Sequence, residues 1–163
     1  MQLKPISPAA IPSALHKAER YRLLNDSSAA ESICLDVLEL EPDHQPALVM
    51  LVLAISDQFD SDPEGVRRAR AVLPRLKDEY KRHYYAGIIC ERRGKAHLRR
   101  ASMGAEDVAS EWLHDAMAEY EKAEAMRPAG NDEAILRWNT CVRLLQRHEH
   151  ESAPARYEAV LDD

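Results

Sequence analysis

Apolar residues recur at helical spacing along almost the whole chain, and Pro, Gly, Asn and Asp break the pattern at intervals. Ser7-Pro8 opens the first stretch, with the serine as cap and the proline in the first turn. Pro12 delays or kinks that start, and Leu15, Ala18, Tyr21 and Leu23 carry the stripe to Leu24. The run "NDSS" breaks it and caps a second stripe, Ala30, Ile33, Cys34, Val37, Leu38 and Leu40, which stops at Pro42. A third helix begins near His44 and holds "ALVMLVLAISDQ", residues 47–58, apolar almost throughout. A bilayer span takes about 20 apolar residues, so this run does not cross a membrane. No period-2 alternation occurs in the chain, so the run reads as a helix packed on most sides. After the loop "DQFDSDP", a fourth helix starts near Asp62-Pro63 and ends around Pro74.

Between Arg75 and Arg127 there is no proline. The stretch predicts two helices longer than the rest, about Glu79 to Arg100 and about Glu106 to Arg127, with "ASMGAED" and its Gly104 as the turn. Pro128 and Gly130 stop the second. A seventh helix, about Asp132 to His148, and a short eighth, about Ser152 to Leu161, complete an all-α chain. At 163 residues it is long enough for one domain with a real core.

Regular helix–turn–helix spacing invites a search for repeats. Ala30, Cys34, Val37 and Pro42 share their spacing with Ala116, Tyr120, Ala123 and Pro128. In "ALHKAERYRLLNDSSAAESICLDVLELEP", Ala18 and Tyr21 sit on a first helix, and Ala30 and Pro42 mark a second. "RHYYAGIICERRG", with Ala86, Gly87 and Gly94, reads as a later first helix, "DAMAEYEKAEAMRP" as its partner, and "AILRWNTCVRLL", with Trp138 and Asn139, as one more. In this the chain resembles the tetratricopeptide repeat (TPR) family. Small residues let two helices approach closely, an aromatic fills the gap against a neighbour, and proline ends the hairpin. The resemblance implies a single right-handed helical-hairpin solenoid over residues 1–163, with hairpins at about 8–42, 44–76, 79–128 and 131–161. The second hairpin departs from the pattern, with Gly65 in an alanine slot and Pro74 inside the second helix. The third is elongated between Gly94 and Ala116: a surplus of roughly 17 residues adds about 12 Å to each helix at ~1.5 Å per residue.

The inner face of such a stack is lined by the first helix of each hairpin. The repeat register puts Leu15, Glu19, Val49, Leu53, Tyr84, Ile88, Glu91, Trp138 and Val142 there. Most are apolar, so an open groove would be an oily patch suited to an amphipathic helix or an extended apolar segment of another protein. The alternative is that the chain's own final helix or a second protomer fills it. Some family members clamp a C-terminal carboxylate in this groove with Lys, Arg and Asn. Here those slots hold Leu15, Glu19 and Met50, with only Lys81 positive, so such a clamp is disfavoured.

Charge adds a second signal. The chain carries a net charge of −6. From Gly65 to Arg100, 12 Lys or Arg face only Asp78, Glu79 and Glu91, a net of +9, which leaves −15 for the remainder. Arg92, Arg93, Arg99 and Arg100 are the densest part and form a candidate patch for an anionic partner. Three readings stand side by side: arginines paired with neighbouring acidic helices, an acidic protein or RNA partner, and self-association of basic middle with acidic end. Tyr80, Tyr84 and Tyr85 lie near the patch, but an acidic chain disfavours nucleic acid.

Little else points to chemistry. His148 and His150 are two apart, wrong for one helix face, and no HExxH, CxxC, phosphate loop or GxSxG occurs, so neither catalysis nor a metal or cofactor is implied. "RRAS" resembles a basophilic kinase site at Ser102. Cys34, Cys90 and Cys141 lack disulfide or metal spacing and read as reduced, buried thiols. With no apolar core of signal-peptide length in "MQLKPISPAAIPSALHK", the expectation is a cytoplasmic, protein-binding adaptor or scaffold and not an enzyme.

Overall fold

A computed structural model describes the backbone of residues 1–100 and 104–161 and the side chains up to residue 148, leaving out 101–103. Ser102 and the first three residues of the expected turn, 101–103, therefore lie outside the described residues. The described part is all-α and contains no strand. The helices are α1 (Ile11–Leu23), α2 (Ser27–Leu40), α3 (Gln45–Ser56), α4 (Gly65–Val72), α5 (Glu79–Arg99), α6 (Ala105–Ala125) and α7 (Glu133–Leu161).

Local chemistry sets these bounds. Pro8–Ala10 forms a 3₁₀ turn ahead of α1, so the α-helix starts at Ile11 with Pro12 in its first turn. After α1, Asn25 takes a left-handed backbone (φ 60°), a conformation asparagine tolerates better than most residues. Asp26 then caps α2 by accepting from the Ala29 N–H at 3.2 Å. His44 caps α3 through Nδ1, which accepts from the Ala47 N–H at 3.2 Å. Helix α4 ends in a 3₁₀ turn at Leu73–Arg75, where Pro74 supplies no donor. Gly104, at φ 78°, supplies the left-handed residue that precedes α6.

Helices α5 and α6 are 21 residues each against 8 to 14 for the four before them. The longest helix is nevertheless α7, at 29 residues, because the expected separate eighth helix is continuous with the seventh. The segment has no glycine, and one proline removes a single ladder bond, which a helix with turns on both sides can accommodate.

Packing follows chain order: α1 on α2, α2 on α3, α3 on α4, α5 on α6, and α6 on α7. Across these pairs α1 touches α3, and α3 touches α5, so these three helices lie side by side. Two apolar clusters result. The first joins α1 to α4 with one side of α5 and includes Leu48, Val52, Phe59, Leu76 and, from α5, Ile89 and Ala96. The second joins α5 to α7 around Ile88, Leu113, Tyr120 and Cys141. The apolar run of α3 is buried on most sides, with Ala47, Leu48, Leu51, Val52, Ala54 and Ile55 all covered, while Leu53 is half-buried and reaches the second cluster.

Glycine sets the closest helix approaches. On α5, a methyl at Gly87 would stand 2.6 Å from Tyr120 Cδ1, and one at Gly94 would stand 3.1 Å from the Ala109 carbonyl oxygen. The α6 residues that face them, Ala109, Leu113, Ala116, Tyr120 and Ala123, are all buried.

Candidate binding cleft

The C-terminal ends of α1 and α3, the start of α2, the second half of α5 and the start of α7 surround a cleft of about 770 Å³. Its lining is polar. Arg22 comes from α1, Asp57 from the cap of α3, Glu91, Arg92, Lys95 and Arg99 from α5, and Arg137 from α7. Between the charges lie neutral hydrogen-bonding side chains, among them Asn25, Ser28, Gln58 and Ser61, and the large apolar residue at its edge is Leu23.

The charges are held by one another. Asp57 bridges two helices: its Oδ2 accepts from Arg22 Nε at 2.7 Å, and its Oδ1 pairs with Arg92 Nη1 at 2.8 Å. Arg92 also donates to the Leu53 carbonyl at 2.8 Å and to Ser56 Oγ at 2.5 Å, which satisfies the open carbonyl end of α3. Burial pushes the Arg92 guanidinium down from its usual range, and Asp57 pushes back. Deeper in the wall, Glu91 is 1 % exposed. It pairs with Lys95, accepts from Arg137 Nη1 at 3.3 Å, and accepts from the Tyr120 hydroxyl at 2.7 Å. Burial is the largest single influence and opposes the charge on Arg137, but Glu91, Tyr84 and Tyr120 together outweigh it and the guanidinium is held up. Burial and the nearby Glu91 push the Tyr120 phenol well above its usual range. Among the described residues, five cations against two carboxylates leave the cleft positive on a chain of net charge −6.

The residues expected on an apolar groove sit elsewhere. Of the nine, only Glu91 lines the cleft. Tyr84 and Ile88 are buried in the second cluster, where the Tyr84 ring stacks on Tyr80 at 5.8 Å and lies 6.0 Å from Tyr120. Leu15 and Val49 are half-buried against the first cluster, and Leu53 against the second. Trp138 is half-buried and donates from Nε1 to Glu121 at 3.1 Å. Val142 is half-buried, and Glu19 is exposed. Each expected stripe continues by a turn into the charged wall: Leu15 and Glu19 into Arg22, Val49 and Leu53 into Asp57, Ile88 and Glu91 into Lys95. The apolar part of each stripe packs on neighbouring helices, and the charged end opens to solvent. The signal for the cleft in the sequence is this polar end, Arg22, Asp57 and Lys95, and not the oily positions before it.

The expected anionic patch behaves differently from a free surface. Arg92 holds the end of α3, Arg93 donates to the Phe59 carbonyl at 3.4 Å, and Arg99 pairs with Asp60 at 2.6 Å. Arg100, just past α5, donates to the Asp60 carbonyl at 3.0 Å. All four therefore grip the segment from the end of α3 into the α3–α4 loop, and only Arg92 and Arg99 also line the cleft. Tyr80, Tyr84 and Tyr85 belong to the second cluster and do not line the cleft.

Cys34, Cys90 and Cys141 are buried free thiols. Burial pushes Cys34 and Cys141 up to about 12. Among the described residues no group of three His, Cys, Asp or Glu is placed to hold a metal ion. No helix among them is long and apolar enough to cross a membrane. Comparison with family models, with curated proteins and with solved structures gives no match.

Proposed function

We propose that this chain is a TPR-like helical-hairpin solenoid that binds another protein and has no catalytic role, receiving a segment of its partner in the polar cleft. One observation carries the reading: residues from α1, the start of α2, α3, α5 and α7 converge on a polar recess of about 770 Å³. Helices far apart in sequence supplying one recess is what a stack of hairpins offers a ligand laid across it. The neutral lining adds support, since Asn25, Gln58 and the serines can pair with the amide groups of a bound chain. The protein would act as an adaptor or assembly scaffold.

The experiment is partner capture by cross-linking with the intact chain and with Ser28→Trp and Ser61→Trp. Both serines are exposed at the cleft and take no part in its ion pairs, so the indole blocks the recess and spares the network. A partner captured by the wild type and lost by both variants supports the reading. Capture that is unchanged by the block overturns the cleft as the receiving site. A solution mass of two chains that the block returns to one would make a second protomer the occupant.

A further inference from the structure

Resting on the cleft as a binding site, we infer that its occupant is an extended, acidic segment of a partner protein, held by carboxylate side chains against Lys95, Arg99 and Arg22. Three features of the cleft lead there. The first is its charge. Asp57 and Glu91 neutralise part of the cationic wall, and the remaining surplus faces the recess. On a chain of net charge −6, an acidic ligand is repelled at long range and finds attraction only where these cations cluster. Specificity of place is built into that contrast.

The second feature is how the cations are held. Lys95 is anchored through Glu91 and Arg99 through Asp60, yet their side chains remain 31 % and 58 % exposed. An anchored cation loses little further freedom when a carboxylate arrives, and a guanidinium with one edge paired keeps donors free on the other. Arg22 is held by Asp57 and is more covered, at 18 % exposed. The cations are pre-positioned, not loose.

The third feature is what lies between them. Serines, Asn25 and Gln58 offer donors and acceptors to a peptide backbone, and among the described residues no aromatic side chain lines the cleft. Single-stranded nucleic acid relies on aromatic platforms for its bases, so the same positive charge here fits polypeptide better than RNA. An amphipathic helix needs an apolar trough, and among the described residues Leu23 is the large apolar side chain at the cleft, which does not make one.

The test is fluorescence anisotropy with labelled peptides of about ten residues, which extend to roughly 33 Å. One alternates Glu and Ser, a second alternates Gln and Ser, a third is an apolar amphipathic helix, and a single-stranded RNA of similar length is the fourth probe. We expect the Glu–Ser peptide to bind, the Gln–Ser peptide to bind at least about tenfold more weakly, and affinity to fall as salt rises from about 50 to 200 mM. The pair Lys95→Gln with Arg99→Gln should weaken the Glu–Ser peptide about tenfold. The pair Arg67→Gln with Lys122→Gln, the same charge change at exposed sites outside the cleft, should leave it within about twofold. Circular dichroism confirms that each variant folds. Equal loss in the Arg67/Lys122 pair, or equal binding of the Glu and Gln peptides, overturns the inference. Preferential binding of RNA overturns it in favour of nucleic acid. Binding of the amphipathic helix alone overturns the acidic occupant and leaves the binding module standing. If no probe binds and the tryptophan variants lose no partner, both readings fall. A dimer that the Lys95/Arg99 variant dissolves would put a second copy's acidic stretch in the cleft in place of a partner's.

Discussion

The ring of Tyr120 occupies the space that a side chain at Gly87 would need. A methyl there would stand 2.6 Å from Cδ1 and 2.9 Å from Cζ, and Tyr120 is itself fully buried, so the ring has nowhere to go. Gly87→Ala therefore sets two effects against each other. Helix propensity favours alanine by about 1 kcal/mol. Overpacking costs about 1–3 kcal/mol, and here the clash is with a ring and not a flexible tip. We expect net destabilisation in urea unfolding. A Gly87→Ala chain as stable as the wild type would show that α5 and α6 can move apart at no cost.

Glu91 is the most sensitive polar position. Removing it leaves Arg137 and Lys95 without their shared acceptor and the Tyr120 hydroxyl without its partner. Stripping one partner from a buried ionic network costs about 3–5 kcal/mol. Tyr120→Phe removes only the neutral donor to a charged group, about 1.5–3 kcal/mol. Thermal melts should rank wild type above Tyr120→Phe, and Tyr120→Phe above Glu91→Ala. The reverse order would mean that the ring hydroxyl, not the carboxylate, holds the network.

All three thiols should be silent in the native state. Cys34, Cys90 and Cys141 are buried, and the raised position of Cys34 and Cys141 leaves almost no thiolate near neutral pH. A chromogenic disulfide reagent should label none of them quickly at neutral pH and all three in denaturant. Rapid labelling of one thiol without denaturant would place it at a locally open site.

His97 predicts a pH dependence. Among the described residues its Nε2 is buried with no hydrogen-bond partner. Burial lowers its affinity for a proton below the ordinary value of 6.5, and Arg93 and Arg100 add repulsion. The unfolded chain then binds the proton more readily than the folded one. The His97 contribution is complete above pH 6.5 and is lost as the pH falls through 6.5 toward the folded value. The fall in Tm between about pH 8 and pH 5 should be smaller in His97→Gln than in the wild type. Equal falls in the two proteins would remove His97 as a source.

The sequence carried the helices well because each boundary rests on local chemistry. Asp26 and His44 cap where the pattern breaks, Pro74 ends α4 in a 3₁₀ turn, and Gly104 turns the chain before α6. The small residues also carried tertiary information: Gly87 and Gly94 fit α6 because only a hydrogen fits there. The cleft was harder to read. Whether an apolar stripe faces solvent or a neighbouring helix depends on how closely the neighbours approach, and no local pattern encodes that. Tyr84 and Ile88 lie inward, while Lys95, about two turns further along α5, lines the opening with Arg22 and Asp57 from the ends of α1 and α3. The excess of arginine in α5 was plain, but its partners are backbone carbonyls and carboxylates of a loop more than 30 positions earlier. Such pairings exist only once the chain is folded.

The arginine-gripped loop also gives the molecule a mechanical character. Its two apolar clusters meet through a few side chains, Leu53, Tyr85 and Ile89 among them, and through the four arginines on the segment from Leu53 to Asp60. Hydrogen bonds and ion pairs act over a fraction of an ångström, whereas packed hydrocarbon yields over a longer path. A chain drawn apart at its ends would therefore part first, and abruptly, between α4 and α5, with the halves on either side still intact. High salt would soften that joint before it touched either core.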